Sequence, residues 1–285
     1  MSVPGARLGF MHAARARALR ERPADAVSVP GARLEFDAVT LRFGGVLALR
    51  DVSFAVEPGE LVAVIGPNGS GKTSLLNCVS GVYVPESGRV LLDGGPIVGL
   101  RRRSADLGIG RTLQNLGLFD GLTVLENVLV GRHRHMRAGV LAGALWLGRA
   151  AREERVQRAA CAEILERLAL LDHAATAVSS LPYGLRKRVE LARALAMEPR
   201  LLLLDEPVAG MTAYEAAEMA DGLRALRART PLTIVLVEHD MPFVMGLAER
   251  VVVLESGCVI AAGTPAQVQR DERVVRAYLG EEVPA

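Results

Sequence analysis

Lysine is almost missing from this chain. Of the 34 lysine and arginine side chains among its 285 residues, only Lys72 and Lys187 are lysines. Aromatic residues make up 4% of the sequence, whereas apolar residues as a group make up 50%. A core must therefore be built from leucine, valine, alanine and isoleucine, which is typical of a buried parallel sheet with helices on both faces. The length allows one or two domains.

Low net charge, few cysteines and the lack of a long apolar tract each exclude a class of protein. The net charge is only +2 with both signs interspersed, so the chain lacks the basic stripe of a nucleic-acid-binding protein. The cysteines, Cys78, Cys161 and Cys258, are odd in number and have no paired spacing, which indicates reduced thiols in a cytosolic protein. We expect Cys78 and Cys161 to fill the core. The longest apolar tract, residues 138–148, is too short to cross a bilayer, and we interpret it as a packed helix or a hairpin facing a membrane partner.

The first 33 residues differ in composition from the rest. They are rich in arginine, have little apolar periodicity, and lack the apolar region of a signal peptide. The heptapeptide Ser-Val-Pro-Gly-Ala-Arg-Leu occurs at 2–8 and again at 28–34. We interpret residues 1–33 as a disordered N-terminal extension, with a targeting peptide as an alternative, and expect the folded domain to start near Leu34.

The remaining pattern predicts an α/β fold. Short apolar runs separated by Gly and Pro turns predict strands before residue 93, and residues 115–182 read as helical. Helical and buried-strand patterns then alternate, which predicts a mostly parallel sheet with an added antiparallel layer. A helical tail is expected over residues 264–280. The predicted strands are 34–43, 51–56, 61–65, 89–92, 201–204, 232–237 and 251–254, and the predicted late helices are 186–196 and 213–229.

A complete phosphate-binding loop follows the apolar run 61–65. Residues 66–73 read Gly-Pro-Asn-Gly-Ser-Gly-Lys-Thr, which matches G-x-x-x-x-G-K-[ST] between a strand and a helix. Glycine permits backbone angles that turn successive N–H groups into one concavity, and a helix N-terminus adds unpaired donors. Lys72 supplies a point charge for the β- and γ-phosphates, and Thr73 a hydroxyl ligand for Mg²⁺. The residues expected to bind the triphosphate are Gly66, Pro67, Asn68, Gly69, Ser70, Gly71, Lys72, Thr73 and Ser74.

Two later strands end in ionisable residues. The run 201–204 ends in Asp205 and Glu206, and the run 232–237 is followed by Glu238 and His239. Open α/β sheets bind ligands at the carboxyl ends of their strands. Asp205 can hold Mg²⁺, Glu206 can orient or deprotonate an attacking water, and His239 can hydrogen-bond a γ-phosphate.

In their order along the chain, these motifs resemble those of the ATP-binding cassette (ABC) ATPases over residues 34–280. The resemblance implies a P-loop NTPase (RecA-like) fold with an inserted helical subdomain over about 115–182. It also implies ATP and Mg²⁺ as cofactors and a nucleotide-sandwich dimer, formed with a second copy or with another ABC ATPase. The implied additional roles are adenine stacking for Phe43, Mg²⁺ and water contact for Gln114, and contact with a partner's nucleotide for Pro182, Tyr183 and Gly184.

Three stretches are similar to ATPases of branched-chain amino acid importers: residues 41–45, 206–211 and 276–281. This likeness implies an integral membrane permease as partner, a solute-binding protein acting indirectly, and a peripheral place on the cytoplasmic face of the membrane. Importers of urea or another small polar solute share much of the pattern and remain an alternative.

The chain departs from the ABC pattern at three positions. Pro182 replaces the signature serine, Leu185 the signature glutamine, and Thr212 the following aspartate. Proline has neither a hydroxyl nor an N–H donor, so we expect weakened rather than abolished hydrolysis. A low-turnover regulatory subunit is an alternative reading.

Two other classes of nucleotide-binding protein fit less well. A GTPase that reads guanine through Asn-Lys-x-Asp is excluded, because Lys72 follows Gly71 and Lys187 follows Arg186. An ABC-type ATPase of DNA repair or translation would need a coiled-coil insert, a duplicated cassette or a basic stripe, and the sequence has none of these.

Overall fold

The computed structural model describes residues 30–97, 104–112, 117–133 and 149–279. Packing begins before Leu34, the predicted start of the domain. A Cβ on Gly31 would lie 2.4 Å from the carbonyl oxygen of Pro231, and Ala32 is fully buried. Residues 1–29, Gln114 and the tract 138–148 lie outside the described part of the chain.

Strands and helices alternate through most of the described chain. In chain order the elements are β1 (Leu34–Phe43), β2 (Val46–Val56), β3 (Leu61–Ile65), α1 (Lys72–Val79), β4 (Ser87–Leu92), β5 (Gly95–Pro96), β6 (Ile109–Arg111), α2 (Val124–Gly131), α3 (Arg149–Arg167), α4 (Tyr183–Ala196), β7 (Leu201–Asp205), α5 (Ala213–Arg227), β8 (Thr233–Val237), α6 (Met241–Leu247), β9 (Arg250–Glu255), β10 (Cys258–Gly263), α7 (Pro265–Gln269) and α8 (Glu272–Leu279).

The described strands form two sheets. The smaller is antiparallel in the order β2-β1-β4-β5, and the larger has six strands in the order β10-β9-β3-β8-β7-β6. The pairs β9–β3, β3–β8, β8–β7 and β7–β6 are parallel, and only β10 runs antiparallel to its neighbour. The predicted mostly parallel sheet with an added antiparallel layer is confirmed.

The core lies on both faces of the larger sheet. In β3, Leu61, Ala63 and Ile65 pack with the helical side, whereas Val62 and Val64 pack against the small sheet and α1. Every residue of β3, β7 and β8 is buried. A strand covered on both faces reads as an unbroken apolar run, which explains why these strands were recognisable from the sequence.

Several short elements were not predicted. β6 has only three residues, β10 is a strand of small and apolar residues, and α6 has seven residues. β6 and α6 are too short to show a period, and β10 contains two alanines, a glycine and a cysteine rather than a run of strand-forming residues. β2 also begins at Val46 rather than at residue 51, because a tight turn at Gly44 (φ 55°) lets the chain pair back onto β1 at once.

The two cysteines predicted to fill the core are buried. Cys78 lies in α1 and Cys161 in α3. Burial raises the pKa of the Cys78 thiol to about 12 and that of Cys161 to about 11. Both thiols are therefore protonated at neutral pH and act as small apolar side chains.

The helices between the strands are joined by a buried arginine. Arg132, just after α2, donates to the Gln157 side-chain oxygen in α3 (2.7 Å) and to the Ala196 carbonyl at the end of α4 (3.3 Å). It also pairs with Glu198 at 2.6 Å. One guanidinium thus fixes three helices relative to each other.

Within the described ranges, no helix is both long and apolar enough to cross a membrane.

Replacing Arg132 should destabilise the fold far more than replacing an exposed arginine. Arg132→Ala leaves buried acceptors without a charged donor, and we expect it to lower the free energy of unfolding by about 3 kcal/mol. The control is Arg158→Ala, which removes an exposed ion pair with Glu154 four residues away and should cost less than about 0.5 kcal/mol. Urea unfolding followed by circular dichroism measures both, and equal losses would contradict the role given to Arg132.

Candidate functional site

The phosphate loop joins β3 to α1 at the carboxyl edge of the parallel sheet. Its glycines have the positive φ values that the sequence predicts: 152° at Gly66, 81° at Gly69 and 104° at Gly71. The close approach of neighbouring backbone atoms also requires glycine at two of these positions. A Cβ at Gly66 would lie 2.0 Å from the Leu254 carbonyl oxygen, and one at Gly71 would lie 2.6 Å from that of Ala48. The loop is therefore pressed against β9 and β2, where any side chain at these two positions would collide with backbone.

The Lys72 amine lies inside this loop. It donates to the carbonyls of Gly66 and Pro67, both at 2.8 Å, and to the Ser70 hydroxyl at 3.4 Å. Burial lowers its pKa, and the carboxylates of Glu206 and Asp205 oppose that shift. A cation held by neutral carbonyl and hydroxyl oxygens can exchange them for phosphate oxygens, which offer a charge-assisted bond.

The middle of the loop is hydrogen-bonded to the turn between β9 and β10. The Gly257 N–H donates to the Ser70 carbonyl at 3.1 Å, so the β9–β10 turn supports the middle of the loop. Thr73 and Ser74 lie half-buried in the first turn of α1, and Asn68 is exposed at the tip of the loop. The candidate triphosphate residues therefore run without a break from the end of β3 into the first turn of α1.

Asp205 ends β7 and is almost fully buried. Its Oδ2 accepts from Arg111 at 3.0 Å, and its backbone N–H donates to the Thr112 hydroxyl at 3.2 Å. Its Oδ1 is buried without a hydrogen-bond partner. Burial raises the pKa of the Asp205 carboxyl, and the Arg111 guanidinium opposes that shift.

Glu206 adopts a backbone conformation that side chains rarely take, with φ 50°. Its N–H donates to the Val237 carbonyl at 2.8 Å, and its own carbonyl accepts from Lys187 at 3.3 Å. Its carboxylate oxygen lies 3.9 Å from Nδ1 of His239, which follows the adjacent strand. Parallel pairing of β7 with β8 thus brings Glu206 and His239 together, although 33 positions separate them in the sequence.

Glu238 is a site residue to which the sequence assigned no role. Its carboxylate is buried and accepts the N–H of Val208 at 3.0 Å and that of His239 at 2.8 Å. One carboxylate therefore joins the loop after Glu206 to the loop that carries His239. No spacing rule in the sequence could identify the contact with Val208, because these two residues meet only through the pairing of β7 with β8.

Phe43 lies at the end of β1 and is half-exposed. Its ring and that of Tyr83 make an edge-to-face contact at a centroid distance of 4.8 Å. Tyr83, which the sequence reasoning missed, packs on the core beneath the small sheet. An edge-to-face contact of this kind fixes the plane of the exposed ring.

The segment Pro182–Gly184 begins α4 and contacts the loop after Glu206 in the same chain. The Tyr183 ring lies 3.2 Å from a Cβ built on Gly210, and the Glu215 carboxylate 2.3 Å from one built on Gly184. Thr212, which replaces the usual aspartate, caps α5 through a capping box with Glu215. Both residue types accept hydrogen bonds at a helix N-terminus, so this departure leaves the helix start intact.

Comparison with known proteins identifies the family. Residues 49–209 match the family described as ABC transporter, which covers more than half of the chain. The chain belongs to the ABC transporter family. Residues 258–284 match a second family, described as branched-chain amino acid ATP-binding cassette transporter. This confirms the resemblance drawn from the motifs and the prediction of an ABC-type ATPase that binds ATP.

Individual relatives are similar to this chain over most of its length. The high-affinity branched-chain amino acid transport ATP-binding protein LivG of Escherichia coli (strain K12) is 41% identical over 251 residues, which are 87% of this chain and 98% of LivG. A crystal structure of a nucleotide-free ATP-binding cassette from an ABC transporter is 29% identical, covers 89% of this chain and 100% of its own, and has a TM-score of 0.76. A dimeric bacterial ABC transporter cassette is 26% identical, with coverage of 81% and 98% and a TM-score of 0.68.

Glu238→Ala should slow turnover without weakening nucleotide binding. The variant frees the Val208 N–H, so the loop carrying Glu206 loses its tie to His239. We expect kcat to fall on the order of tenfold or more, because small displacements of reacting groups are costly. Glu238→Gln keeps one acceptor oxygen and should recover much of the rate.

Glu249→Ala is the matched control for Glu238. The Glu249 carboxylate also accepts a backbone N–H, that of Leu61 at 3.2 Å, but at the opposite edge of the sheet. Steady-state ATPase kinetics with fluorescent-nucleotide titrations separate kcat from affinity. If Glu249→Ala slowed turnover as much as Glu238→Ala, general destabilisation would account for both.

Proposed function

We propose that this chain is the ATP-hydrolysing subunit of an importer that carries branched-chain amino acids through a membrane permease. The observation that carries the proposal is the meeting of the phosphate loop, Asp205, Glu206 and His239 at one edge of the sheet. The 41% identity with LivG and the match of residues 258–284 support this solute over urea or another small polar solute.

The residues at this edge fit a magnesium ion. Mg²⁺ prefers oxygen ligands and is usually held by one or two protein groups together with substrate phosphates. Asp205 has a buried oxygen without a partner, and Thr73 lies in the first turn of α1. Within the described ranges, no group of three or more His, Cys, Asp and Glu residues could hold a metal by itself. When bound, Mg²⁺ would neutralise charge on the β- and γ-phosphates.

The protein groups then have distinct tasks. The backbone N–H groups of Gly66 and of residues 68–72, together with the Lys72 amine, bind the phosphate tail. The Phe43 ring, held by Tyr83, stacks on adenine. Glu206 orients the attacking water and accepts its proton, and His239, 3.9 Å away, orients the water and the γ-phosphate. Gln114, which follows β6, is proposed to contact the cation and the water.

A head-to-tail dimer would complete the site. Pro182 and Tyr183 are exposed at the start of α4, a helix of 14 residues whose N-terminus can face a partner's phosphates. This helix dipole remains although Pro182 and Leu185 remove side-chain donors. The similarity to a dimeric cassette supports the arrangement. The same departures support the second candidate function, a low-turnover regulatory subunit.

The helical region would contact the permease. Phe119, Val130 and Val156 are large apolar side chains that are exposed on or near α2 and α3. We assign residues 115–182 to a helical subdomain that docks a permease, residues 34–280 to the ABC ATPase domain, and residues 264–280 to its helical tail. Docking of this kind would hold the chain at the cytoplasmic face of the membrane.

Two site variants should have opposite effects on the dimer. Lys72→Ala removes the cation that contacts the phosphates and should abolish ATP-dependent dimerisation and hydrolysis. Glu206→Gln keeps binding but removes the base, so we expect hydrolysis to fall at least about a hundredfold and a stable ATP-bound dimer to accumulate. Size-exclusion chromatography with light scattering, with and without Mg-ATP, measures this. A Glu206→Gln protein that stays monomeric with ATP would contradict the dimer proposal.

Transport of a defined solute tests the proposed function directly. We expect the chain, reconstituted with its cognate permease and solute-binding protein in liposomes, to drive ATP-dependent uptake of radiolabelled leucine but not of urea. Steady-state ATPase activity should rise when the permease is added. Urea uptake without leucine uptake would overturn the solute assignment, and ATP binding without turnover under either condition would favour the regulatory subunit.

A further inference from the structure

Arg111 links three parts of the candidate site, and none of the roles assigned so far uses it. It ends β6, the edge strand that pairs with β7. Its guanidinium donates to Oδ2 of Asp205 at 3.0 Å, to the side-chain oxygen of Asn77 at 2.7 Å and to the Ser80 hydroxyl at 2.9 Å. Asn77 lies in α1, the helix that begins at the phosphate loop, and Ser80 follows its last residue.

The pairing is buried and asymmetric. The Arg111 side chain is 15% exposed and that of Asp205 is 0% exposed. Arg111 occupies one oxygen of the carboxylate, and the other, Oδ1, has no hydrogen-bond partner. A buried carboxylate oxygen without a partner is costly, so its orientation has to be imposed by the groups around it.

We propose that Arg111 is a positioning residue for the cation that accompanies the nucleotide. By holding Oδ2, it directs Oδ1 of Asp205 toward the cation. By holding Asn77 and Ser80, it fixes the separation between α1, which carries Thr73, and β7, which carries Asp205. The two protein oxygens assigned to the cation lie on different elements, and Arg111 bridges those elements. This inference rests on the proposed function, because it presupposes a magnesium site at Asp205 and Thr73.

A purely structural role for Arg111 predicts a different pattern of losses. If Arg111 only joined α1 to β7, its removal would loosen the phosphate loop and weaken nucleotide binding with or without a metal. A positioning role predicts a selective loss. The Lys72 amine and the loop amides would still hold the nucleotide, and only the dependence of nucleotide affinity on the Mg²⁺ concentration would change.

The experiment compares Arg111→Met, Arg111→Lys and Asn77→Ala with the unaltered protein, all combined with Glu206→Gln to prevent turnover. Fluorescent-ATP affinity is measured in EDTA and across a Mg²⁺ titration, and Mn²⁺ binding with ATP is followed by electron paramagnetic resonance. The matched control is Arg250→Met. This variant deletes a half-buried arginine paired with Glu60 at 2.7 Å, at the start of β9 and so at the opposite edge of the sheet.

We expect Arg111→Met to raise, about 10- to 100-fold, the Mg²⁺ concentration at which the gain in ATP affinity is half-maximal. A change of this size is typical when the group that orients a metal ligand is lost. Affinity for the nucleotide in EDTA should change less than about twofold, since the loop contacts remain. Arg111→Lys should recover part of the loss, because an ammonium reaches Asp205 but lacks the planar fork needed to hold Asn77 and Ser80 as well. Asn77→Ala should cause a smaller shift of the same kind.

Any of three results would overturn the inference. One is an unchanged Mg²⁺ dependence in Arg111→Met and Arg111→Lys. The second is an equal loss of nucleotide affinity in EDTA and in Mg²⁺. The third is a loss in Arg250→Met as large as that in Arg111→Met. A failure of the proposed function itself would look different, because the Glu206→Gln protein with Arg111 intact would then bind no Mn²⁺ in the presence of ATP.

Discussion

Three parallel strands that end at the same level of the sheet are the constraint on which the site depends. Pairing aligns Val64 of β3 with Val237 of β8, and Val237 with Asp205 of β7. The chain leaves each strand at this edge, so the phosphate loop, the acid pair and His239 converge from distant parts of the sequence. A shift of one residue in either pairing would turn Asp205 to the other face of the sheet.

The charges at this edge stabilise one another. The Lys72 amine, the Asp205 carboxyl and the Arg111 guanidinium are all largely removed from water, which would be costly for any of them alone. Lys72 is held by loop carbonyls, and Arg111 offsets part of the desolvation of Asp205. These contacts thus offset part of the cost of burying the charges, while Oδ1 of Asp205 stays without a hydrogen-bond partner and the Lys72 amine contacts only neutral oxygens.

Two of the departures from the family pattern, Pro182 and Thr212, stand at helix N-termini. Thr212 caps α5 as an aspartate would. Pro182 stands at the N-terminal cap of α4, a position where its missing N–H costs no intrahelical hydrogen bond. The local structure of both helix starts is therefore retained, and Leu185 packs against the core of its own chain.

The sequence by itself determined the phosphate loop, the buried strands and the acids that follow them, because glycine angles, unbroken apolar runs and strand-end carboxylates are local signals. It also carried enough ordered motifs to predict the family. Only the tertiary structure decided that Arg111 holds Asp205, that Glu238 joins the two loops and that Tyr83 backs Phe43. Each of these contacts unites residues tens of positions apart through strand pairing or helix packing. No local pattern encodes such contacts, since the partners' positions are set only when the whole sheet and its covering helices are assembled.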